Sequence, residues 1–286
     1  MKFWFCSFTS LFSLFGLIVS PSWLMMWVFL ELNMMAILPL LSLSVIYYFI
    51  VQSLGGVMFL LGTLSSVLIF LVLSIIIKLG LFPVSFWVPI IINDSSWLGG
   101  GLLSSVSKLL PLFVIPSFNS FTLNYFLLMT VLWGSLYGCF QSKIKSILAC
   151  SSVSHSGWMG LLMVSNLKYY YVYLVMYLPL VLIMFILSKT IFLNYWNAIE
   201  NNQMFFLLVI LLLSGMPPFS GMWLKVLVAS ILTEDMSFYA MIYFVVSAIN
   251  LFFYFKLSVS LLLKPVKLNL KFFILLVGFM SPQYFI

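Results

Sequence analysis

Long apolar runs with almost no charge follow one another along nearly the whole chain. Of its 286 residues, 65% are hydrophobic and 6% are charged, whereas about 25% of the residues in a soluble domain are charged. A membrane-spanning helix needs about 20 mostly apolar residues, and lipid accommodates only helices and closed barrels. The runs do not show the alternating pattern of barrel strands. The sequence therefore predicts an all-α membrane protein.

Polar residues, prolines and glycines divide these runs into about eleven transmembrane helices, each near the length that a bilayer requires. No small-residue cleavage site follows the first run, so we interpret it as a span and not as a removed signal peptide. Loops are short, which predicts a single polytopic membrane domain over residues 1–286. The predicted spans are 3–20, 23–44, 47–62, 64–82, 97–116, 121–140, 147–165, 169–192, 203–232, 236–262 and 270–286.

Two of the spans are predicted to be broken helices. One contains Lys78 shortly before Pro83, and the other contains Pro217 and Pro218 with Lys225 beyond them. Proline removes a backbone donor and clashes with the preceding turn, so the helix kinks or stops there. In a membrane the freed carbonyls must face protein or water. A simple packing kink is the alternative, but a lysine near each break favours an internal cavity.

The two breaks lie in the fourth and ninth predicted spans, five helices apart. Because this offset is odd, the two units would cross the membrane in opposite directions, as in inverted repeats with broken helices at a transport site. We predict two inverted five-helix repeats, at about 1–116 and 121–262, and a C-terminal helix at about 270–286.

The positive charge is spread as single lysines and not as a basic block. The net charge is +7, but the lysines do not cluster, which argues against nucleic acid as a partner. With eleven spans, most loop lysines lie on the side of the N-terminus, which the positive-inside rule places on the inner, matrix or cytoplasmic, side. These lysines are Lys2, Lys143, Lys145, Lys189, Lys264, Lys267 and Lys271.

Four ionisable side chains lie deep inside apolar runs: Glu31, Lys78, Lys108 and Lys225. A charge at the centre of a spanning helix costs roughly 2.5–3.5 kcal/mol on the insertion scale, so these residues indicate an ion or proton path. A lysine near a helix end could instead snorkel to the interface. Glu31 is too short to snorkel far, and its alternative is a neutral, hydrogen-bonded carboxyl beside Asn33.

Glu31 and Lys78 have the chemistry of a proton switch. A lysine in water has a pKa near 10.4, which is too high for release at neutral pH. A carboxylate at about 4 Å stabilises an ammonium by roughly 4 kcal/mol at an effective dielectric constant of 20, so moving the carboxylate can switch a lysine between holding and releasing its proton. Lys108 and Lys225 could pass the proton onward through water. His155 could be a relay, or equally a hydrogen-bonded packing residue among serines.

Motifs for catalysis or cofactor binding do not occur in the sequence. A single histidine cannot supply the paired ligands that a membrane haem usually needs, and Cys6, Cys139 and Cys150 have no metal-site or disulfide spacing. No P-loop, dinucleotide-binding glycine motif or nucleophile elbow is present. We therefore predict no redox or hydrolytic chemistry, no cofactor and no metal site in the chain itself.

Five segments of the sequence carry a specific pattern: ELNMMAILPLL at 31–41, KLGLFPVSFWVPIII at 78–92, SKLLPLF at 107–113, KIKSILACSSVSHSGWM at 143–159 and LLSGMPPFSGMWLK at 212–225. Together they resemble the NADH dehydrogenase subunit 2 family of mitochondrial complex I, the short animal form of the antiporter-like subunits. The resemblance implies five-helix inverted repeats and a hydrophilic axis for protons, in which the glutamate and three lysines of the family match Glu31, Lys78, Lys108 and Lys225. Ser85 departs from the family, which often has histidine there.

The resemblance also implies a function for the chain. It would be a proton-translocating core subunit in the membrane arm of NADH:ubiquinone oxidoreductase, in the mitochondrial inner membrane with its N-terminus on the matrix side. Its partners would be other membrane-arm subunits and lipids, with cardiolipin a candidate, while NADH, FMN, iron–sulfur clusters and ubiquinone would belong to partner subunits. Two alternatives stay open: a free-standing cation/proton antiporter on the same fold, and a structural membrane subunit whose charges only hold helices together.

Overall fold

The structure is a computed structural model, and it describes residues 2–41, 44–118, 121–193, 199–215, 221–222, 225–226, 228–230 and 237–262. Its helices are α1 (Lys2–Val19), α2 (Trp23–Ile37), α3 (Val45–Ser65), α4 (Leu68–Leu79), α5 (Trp87–Asp94), α6 (Trp97–Ser104), α7 (Val106–Val114), α8 (Phe121–Phe140), α9 (Ile144–Ser165), α10 (Leu167–Leu193), α11 (Ile199–Ser214) and α12 (Ser237–Leu262). Residues 221–222, 225–226 and 228–230 are helical as well.

The predicted all-α membrane fold is confirmed. Seven helical stretches in the described part of the chain are long and apolar enough to cross a bilayer, and shorter apolar helices accompany them. The count of eleven spans and the two inverted repeats stay predictions, and the predicted last span, 270–286, lies outside the described residues. The boundary predicted near residue 63 falls slightly later, because α3 ends at Ser65 and α4 begins at Leu68.

The first predicted break is present. Helix α4 stops at Leu79, where Gly80 adopts a left-handed φ of 69°. The Leu81 N–H then donates to the carbonyl of Ile76 at 2.9 Å, which closes the helix end in the manner of a glycine C-cap. Pro83 follows, joined to Phe82 by a cis peptide bond.

Two local features of the fold differ from the prediction. No helix is predicted between residues 83 and 96, yet α5 forms there and buries Trp87, Ile91 and other apolar side chains. The predicted span 97–116 is also not continuous, because Ser105 has φ −115° and ψ −78° and separates α6 from α7. Serine is not a strong helix breaker, so the sequence around Ser105 does not indicate that the helix is interrupted there.

The second predicted break is described in part. Helix α11 ends at Ser214, and Gly215 has a left-handed φ of 65°. Pro217 and Pro218 lie outside the described residues, and helical backbone is present again at 221–222.

The chain divides into two compact units, Met1–Tyr170 and Tyr171–Ile286. In the first unit α9 is buried along nearly its whole length and packs against α5, α6, α7 and α8, while α2 packs against α1, α3 and α7. In the second unit α11 packs against α12. This division does not test the predicted repeats, whose boundaries lie elsewhere.

Candidate functional site

An ion pair joins two of the residues that the sequence singles out. The Lys78 ammonium lies 2.8 Å from the Glu31 carboxylate, and it donates a hydrogen bond to Oε1. The Lys78 side chain is 2% exposed and that of Glu31 is 20% exposed. Glu31 is on α2 and Lys78 is in the last turn of α4, so the pair closes a separation of 47 residues. Removing one partner of such a buried pair leaves an uncompensated charge, which is strongly destabilising.

Two glycines of α3 make room for this ion pair. A Cβ atom on Gly56 would lie 2.1 Å from Glu31 Oε1, and a Cβ on Gly55 would lie 2.9 Å from Lys78 Cγ. The carboxylate and the lysine stem therefore lie directly against the α3 backbone. A larger residue at either position would have to displace a member of the pair.

A glutamine of the same helix holds the broken end of α4. The Gln52 side-chain amide donates to the backbone carbonyl of Lys78 at 3.2 Å, and both residues are buried. Because α4 ends at Leu79, the Lys78 carbonyl is one of the last carbonyls of the helix, which receive no intrahelical hydrogen bond. Gln52 thus satisfies a polar group that the break exposes, and it fixes the backbone of the lysine itself.

The second lysine, Lys108, points into the protein. Its side chain is buried on α7, and its ammonium donates to the carbonyl of Ser152 at 2.7 Å and to the hydroxyl of Ser152 at 3.1 Å. Ser152 belongs to α9, which is buried on nearly all sides. The ammonium therefore ends at a buried helix, and the interpretation of Lys108 as a membrane-embedded residue of the proton path stays a prediction.

A carboxamide connects the helix of Glu31 with the helix of Lys108. The Asn33 side-chain nitrogen donates to the carbonyl of Ser107 at 3.1 Å. In a continuous helix that carbonyl would accept from residue 111, which is Pro111 and has no N–H. Asn33 therefore replaces the donor that the proline removes, directly beside Lys108.

Serine hydroxyls donate to two further carbonyls near the interruption between α6 and α7. Ser104 and Ser105 both donate to the Gly101 carbonyl, at 2.9 and 2.7 Å, and Ser107 donates to the Leu103 carbonyl. At this interruption, which was not predicted, side chains of the same segment supply hydrogen-bond donors to the backbone carbonyls.

The fourth residue, Lys225, lies in the second unit and is described within that unit. Its ammonium donates to the carbonyl of Ser214, the last residue of α11, and to the carbonyl of Ser247 on α12 at 3.4 Å. A Cβ on Gly215 would lie 2.5 Å from Lys225 Cε. Lys225 thus packs against a glycine, Gly215, as Lys78 packs against Gly55.

His155 lies on α9, one turn beyond Ser152, the partner of Lys108. It is partly buried, and the neighbouring residues Ser151, Ser154 and Ser156 are buried. Its place on the helix that receives Lys108 fits both the relay and the packing interpretation, and its role stays a prediction.

Lys145 has a structural role that was not predicted from the sequence. It is predicted as a loop lysine, but its ammonium donates to the carbonyls of Asn93 and Ser95 at 3.4 and 2.6 Å. It also lies 4.8 Å from the centre of the Trp97 ring. Lys145 therefore secures the C-terminal end of α5 with a cation, the favourable charge for that end of a helix.

Two contacts that were not predicted are made by polar residues that interrupt apolar runs, and this interruption was the signal in the sequence that could have indicated them. Gln52 and Asn33 each interrupt an apolar stretch, and each proves to donate to a backbone carbonyl of a lysine-bearing helix. The Gly55–Gly56 pair is as visible in the sequence, but its contact with the ion pair depends on how α3 faces α2 and α4.

Comparison with known proteins gives consistent similarities. The sequence model of the family described as NADH:quinone oxidoreductase/Mrp antiporter, transmembrane, matches residues 62–251. The NADH-ubiquinone oxidoreductase chain 2 of Lumbricus terrestris is 30% identical over 271 residues, covering 84% of this chain and 81% of the relative. The protein of the same name from Anopheles gambiae is 32% identical over 285 residues, covering 87% and 83%.

Solved structures share the fold at lower identity. A chain of respiratory complex I from Thermus thermophilus with bound aureothin superposes with a TM-score of 0.78 at 19% identity, covering 91% of this chain and 70% of that one. A chain of the Mrp complex from Dietzia sp. DQ12-45-1b superposes with a TM-score of 0.78 at 17% identity, covering 88% and 59%. These two likenesses concern the fold alone.

Proposed function

Since the chain belongs to the NADH:quinone oxidoreductase/Mrp antiporter transmembrane family, we propose that it is the antiporter-like, proton-translocating subunit 2 of an NADH:ubiquinone oxidoreductase. The relatives that are 30% and 32% identical over most of their length both carry the name NADH-ubiquinone oxidoreductase chain 2. The chain then works as part of an enzyme complex, together with other membrane-arm subunits.

The observation that carries the proton-path proposal is the buried ion pair of Glu31 and Lys78 at 2.8 Å. The carboxylate stabilises the ammonium while it is near, and the ammonium loses that stabilisation when the carboxylate moves away. Lys108 receives the proton next in this proposal, and the Asn33–Ser107 hydrogen bond holds its helix against the helix of Glu31. Lys225 serves as a further carrier in the second unit, and His155 is a candidate relay beside Ser152.

Energy for transport has to come from partner subunits in this proposal. Moving one charge against 100 mV takes about 2.3 kcal/mol. Oxidation of NADH coupled to reduction of ubiquinone would supply it in those partners, with FMN and iron–sulfur clusters as the electron carriers between them. The chain itself contributes positioned charges and helix breaks.

We place the subunit in the mitochondrial inner membrane with its N-terminus on the matrix side. The lysines of alternate loops support this orientation, because they accumulate on the N-terminal side. Tagging of the N-terminus followed by protease protection in intact and opened mitoplasts tests it. Protection in intact mitoplasts is expected, and cleavage there would reverse the topology.

Proton pumping by the assembled complex in sealed vesicles tests the function. Lys108→Met keeps an unbranched apolar side chain and removes the charge, so pumping is expected to fall roughly 100-fold, the lower end of the contribution of a positioned proton-transfer group. Lys225→Met is expected to impair pumping as well. The matched control is Lys143→Met, because Lys143 is an exposed loop lysine. Normal pumping in both Lys108→Met and Lys225→Met contradicts the proposed path and leaves the structural alternative.

The free-standing antiporter is the alternative that the Mrp likeness keeps open. The purified chain reconstituted alone in vesicles discriminates the two. A subunit of an oxidoreductase is expected to show no cation/proton exchange by itself, whereas exchange by the isolated chain would favour the antiporter.

A further inference from the structure

Trp27 lies one helical turn before Glu31, and its indole N–H is buried. Residues four apart on a helix stack on the same face, so the ring and the carboxyl group share one side of α2. Among the residues that the structure describes, no acceptor makes a hydrogen bond with Trp27 Nε1. A buried tryptophan N–H normally has a partner, so this donor calls for an explanation.

The indole nitrogen and the Glu31 carboxylate adjoin the same point on α3. A Cβ atom built on Gly56 would lie 2.1 Å from Glu31 Oε1 and 3.4 Å from Trp27 Nε1. The absence of a side chain at Gly56 therefore lets both groups lie against the same point of the α3 backbone. A change in the side-chain torsions of Glu31 along this stretch of backbone is the movement that would bring the carboxylate to the indole.

Glu31 is the less buried partner of the ion pair. Its side chain is 20% exposed, whereas that of Lys78 is 2% exposed. The backbone of Lys78 is also held by Gln52 and by the closed end of α4. These contacts favour a rearrangement in which the carboxylate is displaced while the backbone of Lys78 stays in place.

From these contacts we infer that Trp27 is a positioning residue for Glu31, whose indole N–H receives the carboxylate when it leaves Lys78. This inference rests on the proposed function. In one state Oε1 accepts from the Lys78 ammonium, and in the other a carboxylate oxygen accepts from Trp27 Nε1. The second state gives the carboxylate a donor and the indole an acceptor, so leaving Lys78 does not leave Glu31 without a hydrogen bond.

Replacing the indole N–H tests this inference in the assembled complex. Trp27→Phe keeps an aromatic ring on α2 and removes the donor, so the displaced state of Glu31 loses its partner. The loss of one hydrogen bond to a charged group shifts such an equilibrium by roughly tenfold or more, and the pumping rate per assembled complex is expected to fall by about that factor. Trp23→Phe is the matched control, because Trp23 lies one turn earlier on α2 and packs against Phe59 and Phe118.

A double-substitution cycle separates positioning from packing. In a Glu31→Gln background the side chain carries no charge to exchange between Lys78 and Trp27, and a neutral acceptor forms a weaker hydrogen bond with the indole. Trp27→Phe is therefore expected to lower pumping per assembled complex by a clearly smaller factor than it does alone. A purely structural tryptophan would lower pumping by the same factor in both backgrounds, or would reduce the amount of assembled complex. Either result overturns the inference, and so does normal pumping by Trp27→Phe.

The same set of variants distinguishes this inference from the proposed function. Normal pumping by Glu31→Gln alone would remove Glu31 from the path, which defeats the function proposal itself. Impaired pumping per assembled complex by Glu31→Gln, together with normal pumping by Trp27→Phe, leaves the path intact and overturns only the part assigned to Trp27. Infrared difference spectra of the carboxylate stretch provide a direct readout, because the band attributable to Glu31 is expected to change in Trp27→Phe and not in Trp23→Phe.

Discussion

The Asn33 side chain donates to the carbonyl of Ser107 at 3.1 Å, and this is the carbonyl that Pro111 cannot serve. The bond crosses from α2 to α7 and lies one residue from Lys108. It therefore couples the position of a lysine-bearing helix to the helix that carries Glu31. Pro111, which removes the intrahelical donor, and Asn33, which replaces it, are 78 residues apart in the chain.

Asn33→Leu is expected to destabilise the assembled complex by about 1–3 kcal/mol, because the Ser107 carbonyl is left without a donor in the interior. Pro111→Ala restores an N–H at that position of α7. In the Pro111→Ala background Asn33→Leu is therefore expected to cost less. Thermal dissociation of the complex in detergent, measured for all four combinations, gives the coupling between the two sites. Equal costs in both backgrounds would contradict this account of the bond.

Gln52→Leu is expected to weaken the broken end of α4. The Lys78 carbonyl loses its donor, which costs about 1–3 kcal/mol for a buried group. Thermal dissociation of the complex measures the stability, and pumping assays measure whether Lys78 is still held. The control is Ser53→Ala on the same helix, because Ser53 donates only locally to the carbonyl of Ile50. A loss in Ser53→Ala as large as that in Gln52→Leu would show that α3 is generally sensitive.

Gly56→Ala is expected to separate the ion pair more than Gly55→Ala does. The new methyl group on residue 56 meets the charged Glu31 carboxylate at 2.1 Å, whereas the one on residue 55 meets Cγ of the Lys78 stem at 2.9 Å and not the ammonium. Attraction within such a pair is roughly 4 kcal/mol at 4 Å and an effective dielectric constant of 20, and losing a third of it changes a rate by about tenfold. Pumping by Gly56→Ala is therefore expected to fall at least about tenfold, with a smaller decrease in Gly55→Ala. The reverse order of the two variants would contradict the packing described.

Lys145→Met is expected to reduce stability and to leave the pumping rate of each assembled complex unchanged. The substitution removes donors to the carbonyls of Asn93 and Ser95 and the contact with Trp97. Hydrogen bonds from charged donors contribute about 1.5–3 kcal/mol when buried, and less for a partly exposed group such as this one. Native gel quantification of the complex checks the first part. Lys143→Met, two residues away and exposed, is expected to assemble normally.

Much of the fold could be predicted because lipid imposes a simple rule on each segment. An apolar run of sufficient length must be a helix. The break before Pro83 follows from Gly80, which adopts a left-handed conformation easily, and from proline, which cannot continue a helix. Glu31 and Lys78 could be paired on chemical grounds, because a buried charge needs an opposite partner. The interruption at Ser105 could not be predicted, since serine tolerates helix and its hydroxyl partners become apparent only in the folded chain.

The sequence by itself determined a helical membrane protein with four charges held in apolar surroundings. Only the tertiary structure decided that Lys108 ends at Ser152, that Asn33 and Gln52 donate to backbone carbonyls at the helix breaks, and that Trp27 and Glu31 both lie against Gly56. Such contacts depend on how helices distant in sequence face each other. An apolar pattern specifies that a helix is embedded, but the detailed packing of side chains selects which neighbour each face meets.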